Sequence, residues 1–304
     1  MPLHTPVVFI FFRRPETTAK VFQAIRRARP RRLILVADGP RGHEDEDLCR
    51  QSRKVVDHID WECEVTRSYS DTNLGVAKRV STGITEAFKL VEEAIILEDD
   101  TLPSPFFFKF CENLLEQWRK DERVFHISGT NFIHDLCKDQ QHTYYFNRHP
   151  AIWGWATWRR AWQHYDMQLH DWPRHKKDGL LQKNLHLHNA ISEWEKTFDL
   201  HHENNDPWTW DYHWVYAAWS QGGRSISPHR NLVTNIGFGK GATHTGDGIA
   251  PNLPINQDFD EEIVHHPDSS LQEDLNLLLE KRLFQKHPNK LQRGLMKLRK
   301  LFHS

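Results

Sequence analysis

The sequence predicts an α/β fold in which helices flank a mostly parallel sheet, and three observations carry that expectation. Over the first 130 residues short β-branched apolar runs alternate with helix-period patterns, and every parallel strand pair needs such a crossover. The run Ala94-Ile95-Ile96-Leu97 leads straight into Glu98-Asp99-Asp100, so three carboxylates stand at the carboxyl end of a buried strand, where open α/β sheets collect ligands. Finally, 304 residues with 38% apolar and 12% aromatic content suffice for a substantial core, in one large domain or two small ones.

Taken in order, strand Val7–Phe12 ends in Arg13-Arg14-Pro15, and the proline opens helix Glu16–Ala28. Strand Leu33–Ala37 ends in Asp38-Gly39-Pro40 and precedes helix Glu44–His58. Strand Glu64–Ser68 leads through Asn73-Leu74-Gly75 into helix Gly75–Val91, whose start carries Lys78 and Arg79. The fourth strand, Ile95–Glu98, turns through Leu102-Pro103-Ser104 into helix Pro105–Trp118. One edge therefore gathers an arginine, an aspartate, a basic helix start and three carboxylates, which suits a nucleotide with its phosphates. Clustered carboxylates also suit a hard divalent cation, Mg²⁺ or Mn²⁺; the alternative is that Asp100 or Ser104 caps the next helix. Neither G-x-G-x-x-G nor G-x-x-x-x-G-K-[ST] occurs, which argues against dinucleotide and P-loop sites.

Beyond Arg123 the pattern changes to a strand Val124–Ser128, an extended piece Tyr144–Asn147 and the run Ala151-Ile152-Trp153-Gly154-Trp155-Ala156-Thr157-Trp158. Most of the 12 tryptophans lie between Trp153 and Trp219. An indole face stacks on a pyranose as readily as it fills a core. Trp158 and Trp162, one turn apart on an expected helix, read as core; Trp153 and Trp155, in a loop around Gly154, read as ligand contacts. Further on, Asp211 follows Trp210 at the start of a helix running to about Ser220. An acid there serves the helix dipole, yet its aromatic neighbours raise its pKa toward that of a general base. The glycine-rich stretch Asn231–Thr245 has the composition of a loop that closes over a diphosphate. Among 21 histidines, the pairs His186/His188 and His201/His202 lack the second half of a zinc site and read as polar surface residues.

The formal net charge of −1 argues against a nucleic-acid partner, but eight Lys/Arg and no acid follow Glu280, leaving −9 on the first 280 residues. Within that tail, Leu291, Leu295, Leu298 and Phe302 share a helical face among basic residues, the pattern of a peripheral membrane segment or of a helix packed on the domain. Cys49, Cys63, Cys111 and Cys137 have no metal-ligand spacing. The apolar run Pro6–Phe12 is too short to span a membrane and lacks a cleavage pattern. Both point to a reducing, cytoplasmic location.

A strand-end Arg, a strand-end Asp, the Glu-Asp-Asp trio, a W-D-x-x-W element and a late Phe-Gly-x-x-Gly-x-x-His segment together resemble the nucleotide-sugar glycosyltransferases of the GT-A, Rossmann-like fold. LEDDTLPSPFFFKF is similar to the metal-motif region of the inverting N-acetylglucosaminyltransferase I family, and GFGKGATH to its C-terminal loop. Bacterial family 2-like glycosyltransferases are similar too. The resemblance runs from Val7 to His244. It implies that Asp38 contacts the base and Arg13 the nucleoside, that Glu98 and Asp99 face the ribose and donor sugar, and that Asp100 ligates a Mn²⁺ or Mg²⁺ on the diphosphate. Asp211 falls at the general base, and His244 ends the loop over the phosphates near the metal. Arg79 stands where the family has a histidine among its nucleotide contacts, and the family's tandem acid is here Asp211-Tyr212. Trp153, Gly154, Trp155 and Trp210 are expected around the donor and acceptor sugars.

The function expected is metal-dependent, inverting transfer of a sugar from a UDP- or GDP-linked donor to a glycan or lipid-linked saccharide. Residues 1–130 would form the nucleotide-sugar half, 131–270 the Trp-rich acceptor and catalytic half of the same domain, and 271–304 a basic helical tail. The alternatives are a metal-dependent nucleotidyltransferase or phosphohydrolase, distinguished by its products, and a non-catalytic glycan-binding module.

Overall fold

The computed structural model describes residues 2–137, 141–204, 207–238 and 253–284. Its elements run β1 (Val7–Phe11), α1 (Pro15–Ala28), β2 (Arg32–Ala37), α2 (His43–Val55), β3 (Glu64–Tyr69), α3 (Val76–Leu90), β4 (Glu93–Glu98), β5 (Thr101–Pro103), α4 (Pro105–Trp118) and β6 (Val124–Ser128). They continue with β7 (Tyr144–Asn147), β8 (Trp155–Trp158), α5 (Arg159–Trp162), α6 (Trp172–Lys177), α7 (Leu180–Asn184), α8 (His188–Glu203), α9 (Asp211–Ser220), β9 (Arg224–Pro228), β10 (Val233–Asn235) and α10 (Glu273–Phe284).

Eight strands form one mixed sheet in the order β3-β2-β1-β4-β8-β6-β9-β7. The first four are parallel, with Phe9 opposite both Leu35 and Leu97, as the alternation of strands and helices requires. All of β1 is buried because helices cover both faces, and the two-residue strand period sorts its side chains. Val7, Phe9 and Phe11 pack with Val21, Phe22 and Ile25 of α1 and the phenylalanines of α4. Val8 and Ile10 pack with Val80 and Ile84 of α3 and Trp214 of α9. Each such side chain, fully buried, contributes about 1.5–3 kcal/mol. A smaller cluster joins α6, α7, α8 and α9 through Trp172, Phe198 and Trp219, and β5 and β10 form a separate two-stranded ribbon.

The sheet corrects one expectation. Trp155–Trp158 is neither loop nor helix but the central antiparallel strand β8, hydrogen-bonded to β4 on one side and β6 on the other. Only Arg159–Trp162 beyond it is helical. The tryptophans expected in the core are there, since Trp158 and Trp162 are both buried. The histidine pairs divide: His186 and His188 are exposed, whereas His201 is enclosed against Trp208, Tyr212 and His213. All four cysteines are free thiols. Among the described residues no helix is long and apolar enough to cross a membrane, and the basic stretch Lys290–Phe302 lies outside them.

Candidate functional site

The parallel strands bring residues 12–14, 38–41 and 98–100 to one edge of the sheet. Because β8 runs antiparallel, its leading residues Trp153 and Gly154 reach that same edge. At its centre Arg14, the N-cap of α1, donates through Nη2 to Asp99 Oδ1 and, at 3.0 Å, to Asp100 Oδ2. The backbone N–H of Phe12 takes the other Asp99 oxygen at 3.2 Å. Thr101 Oγ1 and the Glu98 backbone close the turn, so the three acids are held by a compact loop.

The electrostatics follow from putting several acids around one guanidinium. Burial and the charges of Asp100 and Asp99 push the Glu98 carboxyl well above the usual range; Arg14 opposes this and Asp211 adds to it. Asp99 is raised by burial, then held back by Arg14 and pushed further by Asp100. Burial works against the charge of Arg14, but the two aspartates outweigh it and raise its pKa. Asp211, the first residue of α9, accepts from Thr209 Oγ1 at 2.6 Å. Its charge acts on Glu98 and on the half-buried Tyr165, whose hydroxyl donates to the Trp210 carbonyl at 3.2 Å. An acid more than a hundred residues further along the chain thus acts on the cluster.

The other residues singled out from the sequence divide. Arg13 turns away from the acids and pairs with Asp45 at 2.9 Å; Asp45, fully buried, also accepts from Arg41 at 2.6 Å. Both guanidiniums lie 5.9 Å from the half-buried Phe12 ring and form a cationic rim on this edge. Asp38 is buried and accepts four hydrogen bonds, from Gly39 N, Leu74 N, Gly75 N and Asn73 Nδ2 at 2.9–3.1 Å, which fill a carboxylate and tie β2 to the 73–75 turn. Arg79 is buried and donates to the Ala37 carbonyl at 3.1 Å and the Ser68 carbonyl at 2.6 Å, pinning α3 behind the edge.

Three of the four expected sugar contacts are corrected. Trp155 is fully enclosed, stacked on His126 at 5.1 Å and on Trp210 at 5.7 Å, and Trp210 is equally buried; both are core. Gly154 has φ +64° and packs so closely on Val233 that a Cβ would lie 2.8 Å from its methyl, so it serves the turn. Trp153 alone stays half-buried at the edge, edge-on to Phe132 at 5.6 Å and to Phe238 at 5.8 Å. His244 lies outside the described residues.

Sequence reasoning missed Arg14, Asp45, Phe12 and Phe238. For Arg14 a signal existed: it follows Phe12 by two residues, and a period of two sends alternate residues to the same side. Asp45 is one of several acids in the first turn of α2, and nothing in the sequence sets it apart.

A divalent cation on Asp100 meets an obstacle in this arrangement. Among the described residues no three His, Cys, Asp or Glu side chains converge as a metal site. The inner oxygens of Asp99 and Asp100 face Arg14, and the Gly237 backbone lies against the Asp100 carboxyl, where a Cβ would come within 2.7 Å of Asp100 Cβ. The residues as placed do not fit the cation, and no chemical step is routed through one.

No family model and no curated protein matches the chain. Among solved structures, the chain is similar to a UDP-glucose pyrophosphorylase complexed with UDP-glucose, at 10% identity and TM-score 0.34, over 74% of this chain and 90% of that one. It is also similar to a 4-diphosphocytidyl-2C-methyl-D-erythritol synthase from Anaerococcus prevotii, at 11% identity and TM-score 0.30, over 71% and 98%.

Proposed function

We propose that the chain is a GT-A glycosyltransferase that moves a sugar from a UDP- or GDP-linked donor to a hydroxyl of a glycan or lipid-linked saccharide, with inversion. The observation that carries this reading is the cluster of Arg14, Asp99 and Asp100 beside Glu98 at the carboxyl ends of the parallel strands, with Asp211 near enough for its charge to act on Glu98. The Phe12, Arg13 and Arg41 rim takes the nucleoside end, and Glu98 and Asp99 face the ribose and donor sugar. Asp38 and Arg79 shape that edge from behind, through the 73–75 turn and the ends of β2 and β3. Trp153, with Phe132 and Phe238, offers the acceptor sugar an aromatic surface.

In this reading Asp211 takes the proton of the acceptor hydroxyl as its oxygen bonds to the anomeric carbon. The bond from that carbon to the diphosphate breaks with its electron pair on the departing nucleoside diphosphate. A single base with no second carboxylate acting as nucleophile corresponds to inversion.

The test is product analysis with UDP- and GDP-sugars and saccharide acceptors, with and without Mn²⁺ or Mg²⁺. Release of nucleoside diphosphate is expected. Pyrophosphate assigns nucleotidyl transfer instead, free phosphate a phosphohydrolase, and saccharide binding without turnover a binding module. Positioned proton transfer contributes about 10²–10⁴-fold, so Asp211→Asn should lose that much in kcat at nearly unchanged donor affinity. Collapse of affinity with turnover of bound donor retained would make Asp211 a binding residue.

A further inference from the structure

We propose that the resident cation of the acidic cluster is the Arg14 guanidinium, that Asp99 and Asp100 aim it at the anionic leaving group, and that this pair of carboxylates holds no divalent metal. The second clause rests on the glycosyl-transfer reading; the first and third rest on geometry alone.

One guanidinium nitrogen of Arg14 serves both carboxylates, and the remaining Asp99 oxygen is taken by Phe12 N. A hard cation held by both carboxylates would meet Asp99 Oδ1 and Asp100 Oδ2 already turned to the guanidinium and would set its charge directly against that of Arg14, so the two cations compete for the pair. The Arg14 backbone is fixed as well, since its carbonyl accepts from Thr18 N at 2.9 Å and Thr18 Oγ1 at 2.7 Å. From above, Gly237 closes on the pair: a Cβ there would lie 2.8 Å from Arg14 Nη1 and collide with Asp100 Oδ2. Ile236 N donates to the Asp100 carbonyl at 2.8 Å, so the first residues of the glycine-rich stretch are anchored on this ion pair. A planar guanidinium with five donors can keep its carboxylates on one side while offering the remaining N–H groups to phosphate oxygens, which a lysine ammonium does less well.

The experiment has a metal arm and a nucleotide arm. In the first, free Mn²⁺ is followed by electron paramagnetic resonance during titration of wild type, Asp100→Asn, Arg14→Met and the double variant Arg14→Met/Asp100→Asn. Wild type is expected to show no saturable site, Arg14→Met to gain one by freeing the two carboxylates, and the double variant to lose it again. In the second arm, UDP and GDP binding is measured by calorimetry in excess chelator and again with Mn²⁺. Wild type should bind one of them, Arg14→Met at least about tenfold more weakly, as loss of a charge-assisted hydrogen bond predicts, and Arg14→Lys in between.

A saturable Mn²⁺ site in wild type that Asp100→Asn removes overturns the proposal and leaves the glycosyl-transfer reading standing. If neither nucleotide binds with or without Mn²⁺, the donor reading fails, while the Mn²⁺ titration still decides what holds the two aspartates. Should Arg14→Met not fold, the wild-type and Asp100→Asn titrations decide by themselves whether the two aspartates hold a metal.

Discussion

Replacing Asp38 with alanine separates a ligand contact from a structural tie. The resemblance gives this carboxylate to the nucleotide base, but in the fold it accepts three backbone N–H groups and the Asn73 amide. Asp38→Ala strips the partner from all four at once. A buried donor left without a partner costs about 1–3 kcal/mol. Asn73, Leu74 and Gly75 are only half-buried, so water can reach part of the set. The lower end applies, and the loss should come to about 3–5 kcal/mol, a large share of the roughly 5–15 kcal/mol that holds a domain folded. Asp38→Asn keeps one oxygen and should lose about half as much. Urea unfolding followed by tryptophan fluorescence measures both, with stability read from the midpoint at constant m. The reasoning is refuted if Asp38→Ala stays within about 1 kcal/mol of wild type while nucleotide affinity collapses.

The two tryptophans that flank Gly154 should behave in opposite ways. Trp155→Ala opens a cavity in a fully enclosed aromatic cluster and should cost about 3–5 kcal/mol, whereas Trp153→Ala should barely shift the urea midpoint and should raise the acceptor KM. Equal stability losses would remove Trp153 from the site. The buried histidines make the fold acid-sensitive. Burial pushes His149 down to about 3 from an ordinary 6.5, so between those values the unfolded chain binds the extra proton. Its contribution is complete above pH 6.5 and falls as pH drops toward 3, by about 2 kcal/mol at pH 5. Glu98 and Asp99, with raised pKa values, act in the opposite sense, so the readout is a difference. Between pH 7.5 and 5 wild type should lose about 2 kcal/mol more than His149→Gln, and parallel pH profiles would refute the assignment.

Much of the architecture was legible because local pattern and burial agree. The β-branched runs became β1 to β4 in one parallel array, and the expected spans Pro105–Trp118, Val124–Ser128 and Tyr144–Asn147 coincide with α4, β6 and β7. The acidic strand end was legible for the same reason, since a charge directly after a buried apolar run has nowhere to stand but the sheet edge. Asp211 was placed at the head of its helix, as found.

What the sequence could not carry is every fact that depends on a partner distant in the chain. Trp155–Trp158 has no strand period of its own; it is extended because β4 and β6 both supply backbone hydrogen bonds to it, and enclosure between them makes Trp155 core. Arg13 and Arg14 are chemically alike, and they part only because the buried Asp45 waits on one side and Asp99 and Asp100 on the other. His201, read as a surface histidine, is covered by Trp208 and His213 from a different helix and its approach. Composition and periodicity decided which residues could stand at the edge of the sheet. Which of them face one another was decided by tertiary packing, because charge pairing and burial act through distance in space and not along the chain.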